Sequence, residues 1–187
     1  MFGHEQPYDQ TTGLADPAAD LPAGCHRYML HEKLFALGSN FWIENEQGEQ
    51  VFNVNAELLH IRDTLSFVDR SGSELCRVQQ KLLEVPPAME IFAPDGSRIA
   101  FVQKAWISFL HERYSVKFDG GAQFDIQGDF TNHEYAITAG QLPIAHISRK
   151  WFRPTDTFGV EVESNQNDVL ILAVTVAVDQ LSAEQHQ

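Results

Sequence analysis

Arg149, Lys150 and Arg153 bracket Trp151 and Phe152, and 45 residues upstream Lys104 and Trp106 stand in the same phase. A guanidinium forks two phosphate oxygens, an ammonium adds a point charge, and an indole settles at a lipid–water interface. Cations interleaved with aromatics in this way suit the clamping of a phosphorylated headgroup. Lys104, Arg149, Lys150 and Arg153 are therefore the ligand-binding candidates. The simpler account is a strand whose alternate residues face solvent and pair with nearby carboxylates. The formal net charge of −13 favours that account. The same charge repels nucleic acid and anionic bilayers unless a local basic patch overrides it.

Other residue types offer less. His4-Glu5, His31-Glu32, His111-Glu112 and His133-Glu134 are four His-Glu pairs. Strand neighbours face opposite sides, so no pair can chelate a metal by itself. His111 is followed four places on by Ser115, so no HExxH motif exists, and chance or surface placement is the simpler reading of all four. There is no GxSxG elbow, and no glycine-rich phosphate loop opens a helix. Cys76 beside Arg77 reads as a small buried hydrophobe in a strand, not a nucleophile. Asp69, Asp95 and Asp119 sit in turn sequences and read as turn formers. No enzyme is indicated, and no catalytic residue, metal ligand or cofactor is assigned.

The elements that would position these residues are written in the glycines. Gly48, Gly72, Gly96 and Gly120 recur every 24 residues. Val51, Leu75 and Ile99 follow the first three by three places, and Ile43, Phe67 and Ile91 precede them by five. A glycine between two short apolar runs marks a tight turn joining two strands, because glycine takes positive φ freely. The reading is a row of β-hairpins. Strands are expected at Arg27 to His31, Phe41 to Glu44 and Gln50 to Asn55, then Leu75 to Leu83 and Ile99 to Leu110. Pro86-Pro87 interrupts the row, and Pro94-Asp95-Gly96 is strong turn chemistry. Ile99 to Trp106 returns as Ile144 to Trp151, as equivalent strands of a repetitive sheet would.

Ser164 to Leu181 differs in kind. Asn165 or Asn167 can cap a helix, and Asp168 suits a first turn. Val169 to Val178 is apolar all round save Thr175, so such a helix would be buried on every side. Its β-branched content argues equally for a buried strand. The residues alone leave helix and strand open. The run is too short for the ~20 residues of a membrane span.

The chain of 187 residues is long enough for one closed or double-layered β domain, and thirteen phenylalanines supply much of a core. Residues 1–24, with Pro7, Pro17 and Pro22 and no apolar period, read as a disordered lead. Two cysteines, Cys25 and Cys76, read as free thiols of a reducing compartment. The first 25 residues carry neither a basic stretch nor an apolar one of the kind that opens a secretory signal. A soluble, cytoplasmic protein is the expectation.

The order of these elements resembles the LURP-one-related family, part of the tubby C-terminal-like superfamily that includes the phospholipid scramblases. The residues carrying the match are Asp95-Gly96-Ser97-Arg98-Ile99-Ala100, Val102-Gln103-Lys104, Ile144 to Phe152, and Asp168 to Asp179. The resemblance covers roughly residues 27 to 181. It implies about twelve antiparallel strands closed into an all-β barrel around a buried C-terminal helix, and so decides for helix over strand. The domain is then 25–181 with the central helix at 166–181, and 182–187 is a tail. For function it implies a non-enzymatic binding protein, peripheral at the membrane if its ligand is a phospholipid or phosphoinositide headgroup on the outer barrel surface. The alternative is a protein-interaction or scaffold module that contacts no lipid. No binding site of the family maps onto this chain residue by residue.

Overall fold

The computed structural model describes residues 24–31, 40–59, 62–105, 113–150 and 157–183. The expected disordered lead lies almost wholly outside them. Twelve strands precede one helix. The first six are β1 (Cys25–His31), β2 (Phe41–Asn45), β3 (Gln50–Leu59), β4 (Arg62–Asp69), β5 (Glu74–Lys81) and β6 (Ala88–Phe92). Then come β7 (Arg98–Lys104), β8 (Arg113–Phe118), β9 (Gln123–Asp129), β10 (Glu134–Ala139), β11 (Leu142–Ser148) and β12 (Thr157–Glu163). The helix α1 runs Asp168–Ala183. Each strand pairs antiparallel with the next, and β1 pairs with β12 over seven residue pairs, so the barrel is closed.

The glycine turns are three-residue loops ending in a left-handed residue. Gly48, Gly72 and Gly96 sit at φ of 75°, 85° and 84°. Their N–H groups donate to the carbonyls of Asn45, Asp69 and Ala93, and the amides of those three residues donate forward to Glu49, Ser73 and Ser97. Each loop shifts the ladder register just before the turn, at Ile43/Glu44, Phe67/Val68 and Ile91/Phe92. That is a type I turn closed by a glycine bulge, a hairpin that twists with its strands. The fourth turn comes one residue late. There Gly121, not Gly120, takes φ of 88°, and its N–H donates to Phe118. Phe118 holds the last ladder place, packed edge-on against Phe124 with ring centroids 4.6 Å apart.

Inward positions alternate along every strand, and Ile43, Val54, Phe67, Val78, Ile91 and Val102 are fully buried. A twelve-stranded wall encloses more volume than its own side chains fill. The helix fills it. Asn167 caps it, its Oδ1 accepting the Leu170 N–H at 3.1 Å and its carbonyl the Ile171 N–H at 3.0 Å. Every residue from Ile171 to Val178 is buried. The Thr175 hydroxyl donates to the Ile171 carbonyl, which satisfies it within the helix. β-Branched residues lose about 0.5 kcal/mol each of helix propensity. Full burial of such a side chain returns about 1.5–3 kcal/mol, so packing overrides propensity.

Several boundaries differ from the sequence expectation; β3, for one, runs on to Leu59, past the expected Asn55. The helix starts at Asp168 and reaches Ala183, because the turn donating Gln166 N–H to Glu163 occupies the residues just before the cap. β5 stops at Lys81, because Leu83 turns left-handed at φ 60°. β7 stops at Lys104; the rest of the expected run, from residue 106, lies outside the described residues.

Candidate binding surface

The barrel has two ends. One holds the turns after β2, β4, β6, β8 and β10 and will be called the turn end. The other, the rim, holds the connections after the odd-numbered strands. The helix enters at the turn end. There Asp168 Oδ2 accepts the Tyr28 hydroxyl at 2.6 Å and lies 2.8 Å from His26 Nδ1. That bond and burial push the Tyr28 phenol well above its usual range. Helix α1 then packs along β5, β6, β7 and β12 and finishes near the rim.

Lys104 closes β7, and Arg149 and Lys150 follow β11, so all three stand at the rim. They do not form one cluster. Strands β8, β9 and β10 lie between β7 and β11, a perimeter separation of about 19 Å at ~4.8 Å per strand. Lys150 reaches out, its side chain 80% exposed and its Nζ 3.4 Å from Glu134 Oε2. Arg149 turns inward instead. Its backbone N–H donates to Glu134 Oε1, and its Nη2 donates to His133 Nδ1 at 3.1 Å. Arg153, Trp106, Trp151 and Phe152 lie outside the described residues.

Among the described residues, His133 is the histidine of the four His-Glu pairs that the barrel encloses. It is buried, not on the surface. Its ring stacks on Phe158 with centroids 4.3 Å apart, and its Nε2 lies 2.6 Å from Asp179 Oδ1 on the helix. Arginine carries only donors, so Nδ1 accepts from Arg149 and the proton sits on Nε2, where it donates to Asp179. Arg149, His133 and Asp179 thus clasp the end of β11, the β9–β10 connection and the helix. Both ring nitrogens are engaged, which leaves neither for general-base work. Beside them the Tyr135 hydroxyl is buried, and burial with the Asp179 charge holds its phenol well above the usual range.

Around the turn end the aspartates do turn chemistry. Asp69 Oδ1 accepts from the Ser71 and Ser73 amides and the Ser71 hydroxyl, which holds its carboxyl below the usual range. Asp95 is held down in the same way by Ser97. Arg98 bridges Asp119 and Glu90. Cys76 is buried in β5, and desolvation pushes its thiol up to about 12, far from a thiolate. Among the described residues no three His, Cys, Asp or Glu side chains converge to hold a metal. None of the described helices is long and apolar enough to cross a membrane.

Comparison with known proteins accords with this architecture. The model of a protein family described as LURP-one-related matches residues 26–179. The uncharacterised Bacillus subtilis protein YxjI is 23% identical over 150 residues, which cover 80% of this chain and 90% of that one. The X-ray structure of an Arabidopsis thaliana protein superposes with a TM-score of 0.64 at 19% identity, covering 89% of this chain and 96% of the other. That likeness is one of fold.

Proposed function

Because the chain belongs to the LURP-one-related family, we propose that it is a non-enzymatic binding module whose rim takes a phosphorylated lipid headgroup. The lumen is occupied by its own helix, so the binding surface is outside. One observation carries the reading: Lys104, Arg149 and Lys150 emerge at the same end of the barrel, away from the carboxylate-rich turns. Arg149 acts mainly by holding the β11 end through His133 and Glu134, and Lys104 and Lys150 offer charge to a ligand. Arg153 belongs to the same candidate set by its sequence.

Co-sedimentation with neutral, anionic and phosphoinositide-containing vesicles, at low and physiological salt, tests this. Headgroup-dependent binding, weakened by Lys104→Glu with Lys150→Glu, is the expected result. Equal sedimentation with every vesicle, or none at either salt, overturns it. Arg149 is left intact because its loss would disturb the clasp. The acidic turn end favours a second reading, a scaffold that recruits a basic protein segment there, and this reading predicts no vesicle binding.

A further inference from the structure

We infer that the β5–β6 connection, residues 82–87, is a tip that inserts into an anionic bilayer when the rim engages its headgroups. The inference rests on the rim reading above and adds the element that penetrates.

Large hydrophobic side chains exposed among the described residues are Leu82, Leu83, Val85 and Leu142, and three of these four share this one short loop. Leu83 is fully exposed at 103% and Val85 at 78%. A soluble protein rarely gathers aliphatic side chains at a projecting point unless they are covered in use. Their outward pose is held in place. Gln103 Nε2 donates to the Pro86 carbonyl at 3.2 Å, tying the loop to β7. Lys81 pairs with Glu84 at 3.4 Å and lies over the Phe101 ring, 4.8 Å from its centroid. Leu83 itself is left-handed at φ 60°, a conformation a bulky side chain adopts only when its surroundings impose it.

The charges say what covers the tip. Among the described rim positions Arg62, Lys81, Lys104, Arg113, Arg149 and Lys150 stand against Glu57, Asp63, Glu84, Asp129, Glu134 and Asp179, so the rim is near charge balance. The turns opposite carry Glu46, Glu49, Asp69, Asp95 and Asp119 against Arg70 and Arg98. The molecule is acidic as a whole but electrically polarised along the barrel axis. An anionic surface repels the acidic turns far more than the balanced rim, which turns the loop toward the lipid. A protruding aliphatic point flanked by cations has the form of an interfacial anchor. A protein partner would have to supply a groove fitted to a convex point.

The test uses the full chain and vesicles of phosphatidylcholine with or without phosphatidylserine. Leu83→Glu with Val85→Glu is expected to lower affinity for the anionic vesicles about 100-fold, from the burial of two aliphatic side chains. Its thermal melt and its binding of a soluble inositol phosphate should match the parent's. Leu83→Trp should gain vesicle-dependent fluorescence over the parent, quenched by lipids brominated in the acyl chains. Unchanged affinity of the double variant, or no acyl-chain quenching, overturns the insertion. Failure to bind the soluble headgroup while the tip still inserts sinks the headgroup reading alone. Self-association abolished by the double variant, with no vesicle binding, would assign the loop to a second copy of the chain and also overturn the proposal.

Discussion

At the turn end each closure is made within five residues: the Asn45, Asp69, Ala93 and Phe118 amides each reach the carbonyl four places on. At the rim the decisive contact, His133 to Asp179, joins residues 46 apart, and Arg149 joins it across 16. The first kind of closure satisfies its own polar groups and repeats. The second exists only once the barrel has formed around its helix. The comparison teaches that the glycine hairpins of the turn end close locally, while the helix is tied to the wall by long-range contacts at both ends, Tyr28 to Asp168 at the turns and His133 to Asp179 at the rim. Variation at the rim connections is the more exposed to function, and variation at the turns the more easily absorbed.

Six substitutions break or sharpen this contrast. The largest effect is expected close to the rim, at Gly128 of β9, which sits at φ 149° opposite Tyr135. A Cβ there would lie 2.4 Å from the Glu134 carbonyl oxygen and 2.5 Å from Tyr135 Cα, both backbone. Gly128→Ala should cost about 3 kcal/mol or more, read as the urea midpoint, or prevent folding. Next, His133→Ala removes the donor to Asp179 and the acceptor for Arg149, for a loss of about 2–3 kcal/mol in the same assay. Asp179→Asn, which keeps an acceptor, should lose clearly less; equal losses would mean that the clasp is packing only.

The turn end should give smaller numbers. Gly72→Ala forces a side chain into φ 85° and is expected to cost about 1 kcal/mol. Gly120→Ala, in open space and without that conformation, should be neutral within about 0.5 kcal/mol. Equal costs would contradict the late fourth turn. A pH-dependent effect is expected at Asp69, whose carboxyl is held below its usual range by the Ser71 and Ser73 bonds. A depressed carboxyl pKa contributes stability above the unfolded-state value, and that stability is lost as pH falls through the folded one. The stability gap between the parent and Asp69→Ala should therefore be present near pH 7 and close below about pH 4.

The turn end was legible because its rules are short. Gly48, Gly72 and Gly96 mark their turns by type and phase, and Asn167 with Asp168 marks the helix start within two residues of the expected 166. Gly120 misled because a second glycine follows it, and the choice between them is made by where Phe118 packs. Whether residues 168–183 form helix or strand was open from composition, since only the hollow of a twelve-stranded wall decides between them. The rim was nearly illegible. Nothing in the sequence brings residues 133, 149 and 179 together; the barrel order does. Leu82 and Leu83 read as a continuing strand, and only the left-handed Leu83 turns them outward. Of the four proposed binding residues, the spacing put Lys104 and Arg149 at equivalent repeat positions but could not show that they stand apart along the rim or that Arg149 faces inward.

The pairing of β1 with β12 carries a consequence in time. The first and last strands meet, and the element that fills the lumen follows the last strand in the chain. During synthesis the ribosome therefore releases an open, hollow sheet with β1 as an unpaired edge until β12 and α1 emerge. The β1–β12 pairing and the packing of the wall on α1 wait on those final elements, so closure of the barrel should be slow. A message stalled before them would yield a product with sticky edges, one that chaperones must hold and proteases clear.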